Sequence, residues 1–577
     1  MTPTRGPITC ATDWTTGSGE RWGILGFEGT IGGEKHEFRM GTYRFTKDGS
    51  EFEFLQRTNN NTWGFGFNEG GDAFISTANG NPSTHMTIPQ QTYSKLSSLD
   101  DSNTDRLANS ARVITLTNLF RQVDWVGAYT AGSGHGVYTA RTYPRKYWNQ
   151  RAFVMDPTMQ MVGEFILEDN GSSYRSYNPR NLVASDDEWF SPVVAEVGPD
   201  GQVWMADWYN YINQHNAESD RQEPTPGNAY ANPLRDRQHG RIYRIVYEDG
   251  ASTEDMTLEG ASPQKLVATL SHDNMLWRMH AQRLLVERGE TDVVPQLIEL
   301  VNDKSVDQVG LNPGAIHGMW TLHGLGQMDG SNQEALQAAI DALNHPSAYV
   351  RRNALQVLPK TRDALQVILD SGALQDEDPK VQKQALLTLT EMPVSVQAGQ
   401  AIFDLLESAQ GTEDRWLKEA GALAASTHNG GFLGAADAAG MLPNNISVEE
   451  DDIGLENVIA MVLQEHPNAL EGSGSSVTQS QAAAEEVDAV LQLGVTPNVL
   501  KFDKEELRAT AGQRIRLTFT NTGNMEHNML LVTPSSVQEV GTLADELVAN
   551  MEGRQRDYIP DSPEVLESTP ILQPGES

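Results

Sequence analysis

Cysteine is almost missing from this sequence. Cys10 is the only one in 577 residues, which excludes an intramolecular disulfide and any multi-cysteine metal or haem site built by the chain alone. No apolar run approaches the ~20 residues that a membrane helix needs, and no signal peptide opens the chain. Basic residues are scarce as well. Lys and Arg number 42 against 78 Asp and Glu, a formal charge of −36, so the electrostatic footprint of a nucleic-acid binder is absent. Residues 431–500 hold no Lys or Arg, yet carry Glu449-Glu-Asp-Asp452 and Glu485-Glu486. Such blocks read as solvated surface or linker, and occasionally as a docking patch for a basic partner. A single core stops growing at about 250–300 residues, so three or more domains are expected.

What is present changes character along the chain. Residues 1–250 hold 8 of the 11 tryptophans and 13 of the 15 tyrosines. Short strand-like runs alternate there with Gly/Asp/Asn turns: Phe38–Phe45, Asp72–Ser76 after Glu69-Gly-Gly71, Val197–Ala206 and Arg241–Tyr247. Many short strands with glycine and aromatic punctuation predict a β-propeller, incomplete at its N-terminus. The motifs Asn59–Phe67, Ala131–Pro144, Asp187–Pro192, Asp207–Asn210 and Asn232–Arg237 carry a more specific likeness. Over residues 35–250 the chain resembles the propeller of membrane-associated dehydrogenase-like proteins, a family distantly similar to soluble quinoprotein glucose/sorbosone dehydrogenases. The resemblance implies a sugar-type substrate, pyrroloquinoline quinone as a possible cofactor, and an exported, periplasmic setting.

In such sugar-oxidising relatives a histidine base and arginines surround the quinone, because abstraction from a sugar C–H or O–H needs a base of near-neutral pKa beside an electron acceptor. The residues carried over are His135, Asp207 and Arg237 as catalytic candidates. His135 stands between glycines that leave room for a close approach, and the other reading is a turn histidine without chemistry. Asp207, Asn210, His215, Arg235, Asp236 and Arg237 cluster on loops, where hydrogen bonding between blades is the alternative role. The stretch before Gly198-Pro-Asp-Gly201 is Trp189–Ala195, in place of the arginine-rich run of sugar dehydrogenases.

From about Thr257 apolar residues recur at helical spacing. One half-pattern returns five times, in Leu276–Leu285, Ala315–Leu322, Val350–Leu358, Val381–Leu389 and Trp416–Leu423. Helix pairs at this interval resemble HEAT repeats over 257–430, with His280, His317 and His323 as packing residues. Such a solenoid offers a concave surface to a partner or to the neighbouring propeller. Residues 431–496 are expected to hold one more helix, near Ile453–Leu463, and a flexible linker around Glu471–Ser476.

Residues 497–577 return to period 2. Arg514–Phe519 predicts a strand, Asn521–Gly523 a turn, and Met529–Val532 a returning strand with His527 at its start. With Val499–Asp503 and Arg556–Pro563, this text resembles the first part of a plastocyanin/azurin-type cupredoxin, in which the histidine matching His527 binds copper. The resemblance implies a c-type haem domain or cytochrome as electron partner, with the remaining Cys, His and Met ligands expected beyond Ser577. Met525 and Met529 read as packing residues. Two function classes remain open: a redox protein whose propeller oxidises a sugar and passes electrons through copper, and a non-catalytic carbohydrate- or protein-binding scaffold carrying an electron-transfer module.

Overall fold

In the computed structural model the chain divides into two compact units, Met1–Gly474 and Ser475–Ser577. The division falls inside the Glu471–Ser476 stretch. The structure describes residues 27–31, 34–38, 40–45, 52–99, 104–117, 127–211, 236, 238–250, 256–409, 413–443, 446–449, 453–467 and 469 of the first unit. In the second it describes 489–495, 502, 504, 515–520, 528–533, 536–548, 559–560, 562–569 and 572. The 471–480 linker, the Asn521–Gly523 turn, Cys10, His215, Arg235, Arg237, Met525 and His527 lie outside the described residues.

The first unit opens with two antiparallel pairs, β1 (Phe27–Ile31) with β2 (Glu34–Phe38) and β3 (Gly41–Phe45) with β4 (Phe52–Arg57). The expected Phe38–Phe45 strand is thus two strands, ending at Phe38 and restarting at Gly41. Two four-stranded sheets follow in chain order. The first holds β5 (Thr62–Phe67), β6 (Ala73–Thr77), β7 (Asn81–His85) and β8 (Asp105–Arg106); the second holds β9 (Ser133–Val137), β10 (Arg151–Asp156), β11 (Met161–Asn170) and β12 (Ser173–Ala184). A three-stranded sheet closes the series with β13 (Pro192–Val197), β14 (Val203–Asp207) and β15 (Arg241–Ile245). Neighbouring strands in all three are antiparallel, and every sheet is open.

The first strands of the three sheets lie side by side, β5 against β9 and β9 against β13. Glycine makes this approach possible. A Cβ on Gly64 would strike the backbone of Gly134, one on Gly66 the carbonyl of His135, and one on Gly136 the carbonyl of Ala195. The space beside His135 is therefore occupied by strand backbone. Because backbone cannot yield as a flexible side chain does, Gly136→Ala is expected to destabilise the first unit by about 1–3 kcal/mol. Urea unfolding measures it, and an unchanged midpoint would refute this account of the packing.

Helices follow, beginning with α1 (Pro263–Thr269), α2 (Met275–Arg288), α3 (Val294–Asn302), α4 (Pro313–Gly324), α5 (Gln333–Ala342) and α6 (Ala348–Val357). The run continues through α7 (Arg362–Asp370), α8 (Pro379–Leu389), α9 (Val396–Ser408), α10 (Arg415–Thr427), α11 (Asn429–Ala438) and α12 (Leu455–Glu465). Local chemistry marks their starts. Ser262, Asn274, Asn312, Asn332, Thr361, Asp378, Ser395 and Asp414 each accept a backbone N–H of the first turn, as N-cap side chains do. Pro379 occupies the first turn of α8, where its missing N–H costs nothing.

The even-numbered helices stack in one layer, while among the odd-numbered ones α3 packs on α5, and α7, α9 and α11 pack in succession. All five half-patterns of the sequence fall on even helices, α2 to α10. The stack runs on past residue 430, because α12, the expected extra helix, packs on α10 and α11. Its single apolar core also takes in Ile88, Tyr93 and Leu96 from the β7–β8 connection. Each fully buried Leu or Ile in such a seam contributes roughly 1.5–3 kcal/mol. Among the described residues no helix is long and apolar enough to cross a membrane.

In the second unit β16 (Ala489–Gly494) runs parallel to β17 (Ile515–Thr520), and β18 (Leu530–Val532) pairs antiparallel with β19 (Val565–Ser568). The strands expected around Arg514–Phe519 and Met529–Val532 are present, but they do not form a hairpin with each other. Leu493, Val495, Phe519 and Leu572 make a small core on which Leu517 and Met529 pack. α13 (Val537–Val548) follows β18.

Candidate functional site

The third sheet ends in an aromatic and charged cluster. Asp207, the last residue of β14, has a buried side chain and orders the loop around it. Its Oδ1 accepts the backbone N–H groups of Ser191 at 2.8 Å and Tyr209 at 2.9 Å, while Oδ2 accepts Nε of Arg241 at 2.6 Å. Arg241 opens β15, the neighbouring strand in register with Asp207. Its Nη1 donates to Asp187 at 2.8 Å. Burial pulls the Asp187 carboxyl upward, but the Trp189 N–H and the Arg241 guanidinium outweigh it and hold the group below its ordinary value.

Over this charged base lie the rings. The Arg241 guanidinium sits 4.3 Å from the Tyr209 ring centre and 5.7 Å from that of Tyr243. Trp189 stacks on Tyr209 at 5.4 Å and tilts against Tyr211 at 5.7 Å. Tyr209 has φ +54°, a left-handed conformation that a bulky residue adopts only when its surroundings impose it. Asp207 and Ser191 impose it here, since the Ser191 hydroxyl donates to the carbonyl of Asn210 at 2.6 Å. Trp189, Tyr209 and Tyr211 are half-buried, and Trp208 beside them is exposed. Among the described residues the buried Oδ1 of Asn210 and Nη2 of Arg241 have no hydrogen-bond partner. The cluster is an aromatic shelf with unspent polar groups at its base.

The other sequence candidates stand elsewhere. His135 lies in mid-β9, fully buried, stacked on Phe74 at 5.2 Å and sharing a hydrogen bond between Nε2 and the Ser83 hydroxyl at 2.9 Å. Burial pushes its pKa down to about 4, so the ring is neutral at physiological pH. Asp236 turns onto its own neighbours, accepting the N–H groups of Gln238 at 2.7 Å and His239 at 3.1 Å. Asp207 and Asn210 thus meet in the shelf, while His135 and Asp236 make their contacts elsewhere. In the solenoid, His317 bonds Gln282 at 2.7 Å, and His280 and His323 lie against Trp277 and Trp320. Among the described residues no group of three or more His, Cys, Asp or Glu is placed to hold a metal ion.

Sequence reasoning missed Trp189, Tyr209, Tyr211 and Arg241 as one group. Its signal was the crowding of aromatics just outside strand ends, at 189, 208, 209 and 211.

Two family models match this chain. One, described as a domain of unknown function (DUF7133), covers residues 14–249; the other, described as HEAT repeats, covers residues 321–426. No curated protein matches it. The chain therefore joins an N-terminal β-sheet region to a helical region with HEAT repeats.

Proposed function

We propose that the first unit is a carbohydrate-binding scaffold without catalytic chemistry, in which the shelf of Trp189, Tyr209 and Tyr211 takes the apolar face of a sugar. The observation that carries this reading is the half-open stack of Trp189 and Tyr209 above Arg241 and Asn210, each with a free polar atom. An aromatic face with a few convergent hydrogen-bonding groups suits a ligand that is apolar on one side and hydroxylated at its rim. Acid–base chemistry finds less support. His135 is buried with its Nε2 bonded, and Asp207 already serves two N–H groups and a guanidinium.

Reading the sheets as propeller blades is supported by their sequential strand order and by the side-by-side first strands. Pyrroloquinoline quinone is a tricarboxylate that calls for unpaired cations, and Arg141, Arg180, Arg241 and Arg244 already pair with carboxylates. These four arginines offer it no unpaired cation, which lessens the support for that cofactor. Reading the second unit as a cupredoxin part rests on the resemblance around β17 and β18. A type-1 copper centre takes two imidazoles, a thiolate and a weak thioether. Residues 497–577 hold His527 and no other His or Cys, so this donor set does not make one. Electron transfer to a haem partner, like the periplasmic setting, follows from the resemblance alone.

Titrating the full chain with a panel of neutral oligosaccharides, followed by tryptophan fluorescence and calorimetry, tests the shelf. Trp189→Ala is expected to weaken binding roughly tenfold or more, the scale of an aromatic anchor. Equal affinity in the variant, or no binding across the panel, would overturn the assignment. Sugar-dependent dye reduction would overturn its non-catalytic part.

A further inference from the structure

One short turn carries the buried ion pairs between the sheets and the solenoid. Asn68-Glu-Gly-Gly-Asp72 joins β5 to β6, and both of its carboxylates enter the even-helix layer. Glu69, with a side chain only 1% exposed, pairs with Arg141 at 2.6 Å and with Arg278 of α2, itself fully buried. Arg141 carries the network on to Asp307, ahead of α4, at 2.8 Å. Asp72 accepts both arms of Arg352 of α6, at 2.8 and 3.0 Å, and the Tyr174 hydroxyl at 2.5 Å. Between the carboxylates Gly70 runs under Tyr349 and Arg352, where a Cβ would collide with both side chains. Its carbonyl accepts Nδ2 of Asn353 at 3.2 Å, and the Glu69 N–H donates to Oδ1 of Asn149 at 2.7 Å.

Among the described residues the remaining contacts include no fully buried ion pair. Ile88, Tyr93 and Leu96 enter the helical core, and the Tyr93 hydroxyl donates to Glu419 of α10 at 2.6 Å. The Ser172 N–H and hydroxyl donate to Asp414, both at 2.6 Å. Asn274 and Trp277 donate to the carbonyls of Gly198 and Pro199, both at 2.8 Å. Lys383 donates to the Ser172 carbonyl, and Lys380 meets Asp169, whose side chain is 70% exposed. Backbone acceptors and exposed carboxylates discriminate little between one docking position and another. A buried ion pair adds little net stability, but a misplaced one leaves charges unpaired at several kcal/mol, and that asymmetry specifies position.

We propose that the Asn68–Asp72 turn is a latch and the even-helix layer its socket, so that the HEAT surface has the chain's own acidic turn as its partner. The latch sets where the sheets sit on the solenoid, and the other contacts follow it. Urea unfolding of the full chain reads this out with two probes, since most tryptophans lie in the sheet region and far-UV ellipticity follows the helices. The wild type and an Asp169→Asn control are expected to lose both signals together. Glu69→Gln and Gly70→Val are expected to separate them, the tryptophan change coming first, and to lower Tm by about 5 °C or more. Should Gly70→Val yield no folded protein, Gly70→Ala is expected to shift in the same direction by a smaller step. Coincident probes in Glu69→Gln, or a Gly70→Ala variant as stable as the wild type, would overturn the proposal.

Discussion

Arg352→Ala is expected to be among the most damaging single substitutions in the first unit, at about 3–5 kcal/mol. The guanidinium delivers two N–H groups to Asp72 and lies 5.1 Å from the Tyr349 ring centre. Burial pushes the Asp72 carboxyl upward, and Arg352 overrides it, holding the group far below the ordinary carboxylate range. Removing the cation leaves that carboxylate largely buried, with the Asn68 amide and the Tyr174 hydroxyl as its remaining donors. Arg352→Lys is expected to recover only part of the loss, because an ammonium group cannot reproduce the bidentate geometry. Pairing Arg352→Ala with Asp72→Asn is expected to cost less than the sum of the two single changes, since the second removes the stranded charge. Unfolding midpoints of the four proteins decide it. Additive losses would mean that the pair is not the source of the effect.

That pair shows where sequence reading stops. The turn Glu69-Gly-Gly71 is visible as a turn, and Val350–Leu358 as a helix, from local pattern alone. Nothing local says that Asp72 meets Arg352, which lies 280 residues along the chain. The period-3.6 recurrence identified every even helix from α2 to α10 because the same half-pattern returns on each of them. The odd helices were expected only as the pair partners of these, although α7 buries Ala364, Leu365 and Ile368 along one face. In the sheets, Gly134-His135-Gly136 signals close approach correctly. Whether a ligand or a neighbouring strand makes that approach depends on how the sheets stack, which the motif does not encode. In the second unit β17 and β18 were readable from the sequence, while β16, inside the stretch expected to be linker, and β19 were not, and neither was the pairing. The expected return of β18 onto β17 is replaced by pairing with β19, beyond a helix that the sequence reading passed over.

Acidification is expected to destabilise the first unit between pH 6.5 and about 4, before ordinary carboxylates titrate. Five buried histidines drive this, with His345 and His428 held below their ordinary value by burial beside the three with the larger shifts. Burial holds His135 at about 4 and His85 and His317 well below 6.5. His135 faces Ser83 and Phe74, neither of them charged, and His317 bonds Gln282 with the Arg278 charge adding to the effect of burial. His85 lies near Asp72, which favours its protonation, but burial and Lys383 prevail. A histidine with a depressed folded pKa stabilises above its unfolded value, and that contribution is lost as pH falls toward the folded one. For His135 alone the loss reaches about 3 kcal/mol. Asp156 acts in the opposite sense. Its carboxyl is raised to about 6 by burial, despite backbone N–H donors at Thr130, Ala131, Thr158 and Met159. Its contribution is fully present below the unfolded carboxylate pKa and lost as pH rises through 6, so it offsets roughly one histidine. Asp105, also raised by burial, adds to the offset, but five depressed histidines against two raised carboxylates leave a net loss on acidification. Urea midpoints at pH 7 and pH 4.5 should therefore fall for the wild type, fall less for His135→Phe, and fall more for Asp156→Asn. The same drop in all three proteins would show that these buried groups do not set the acid response.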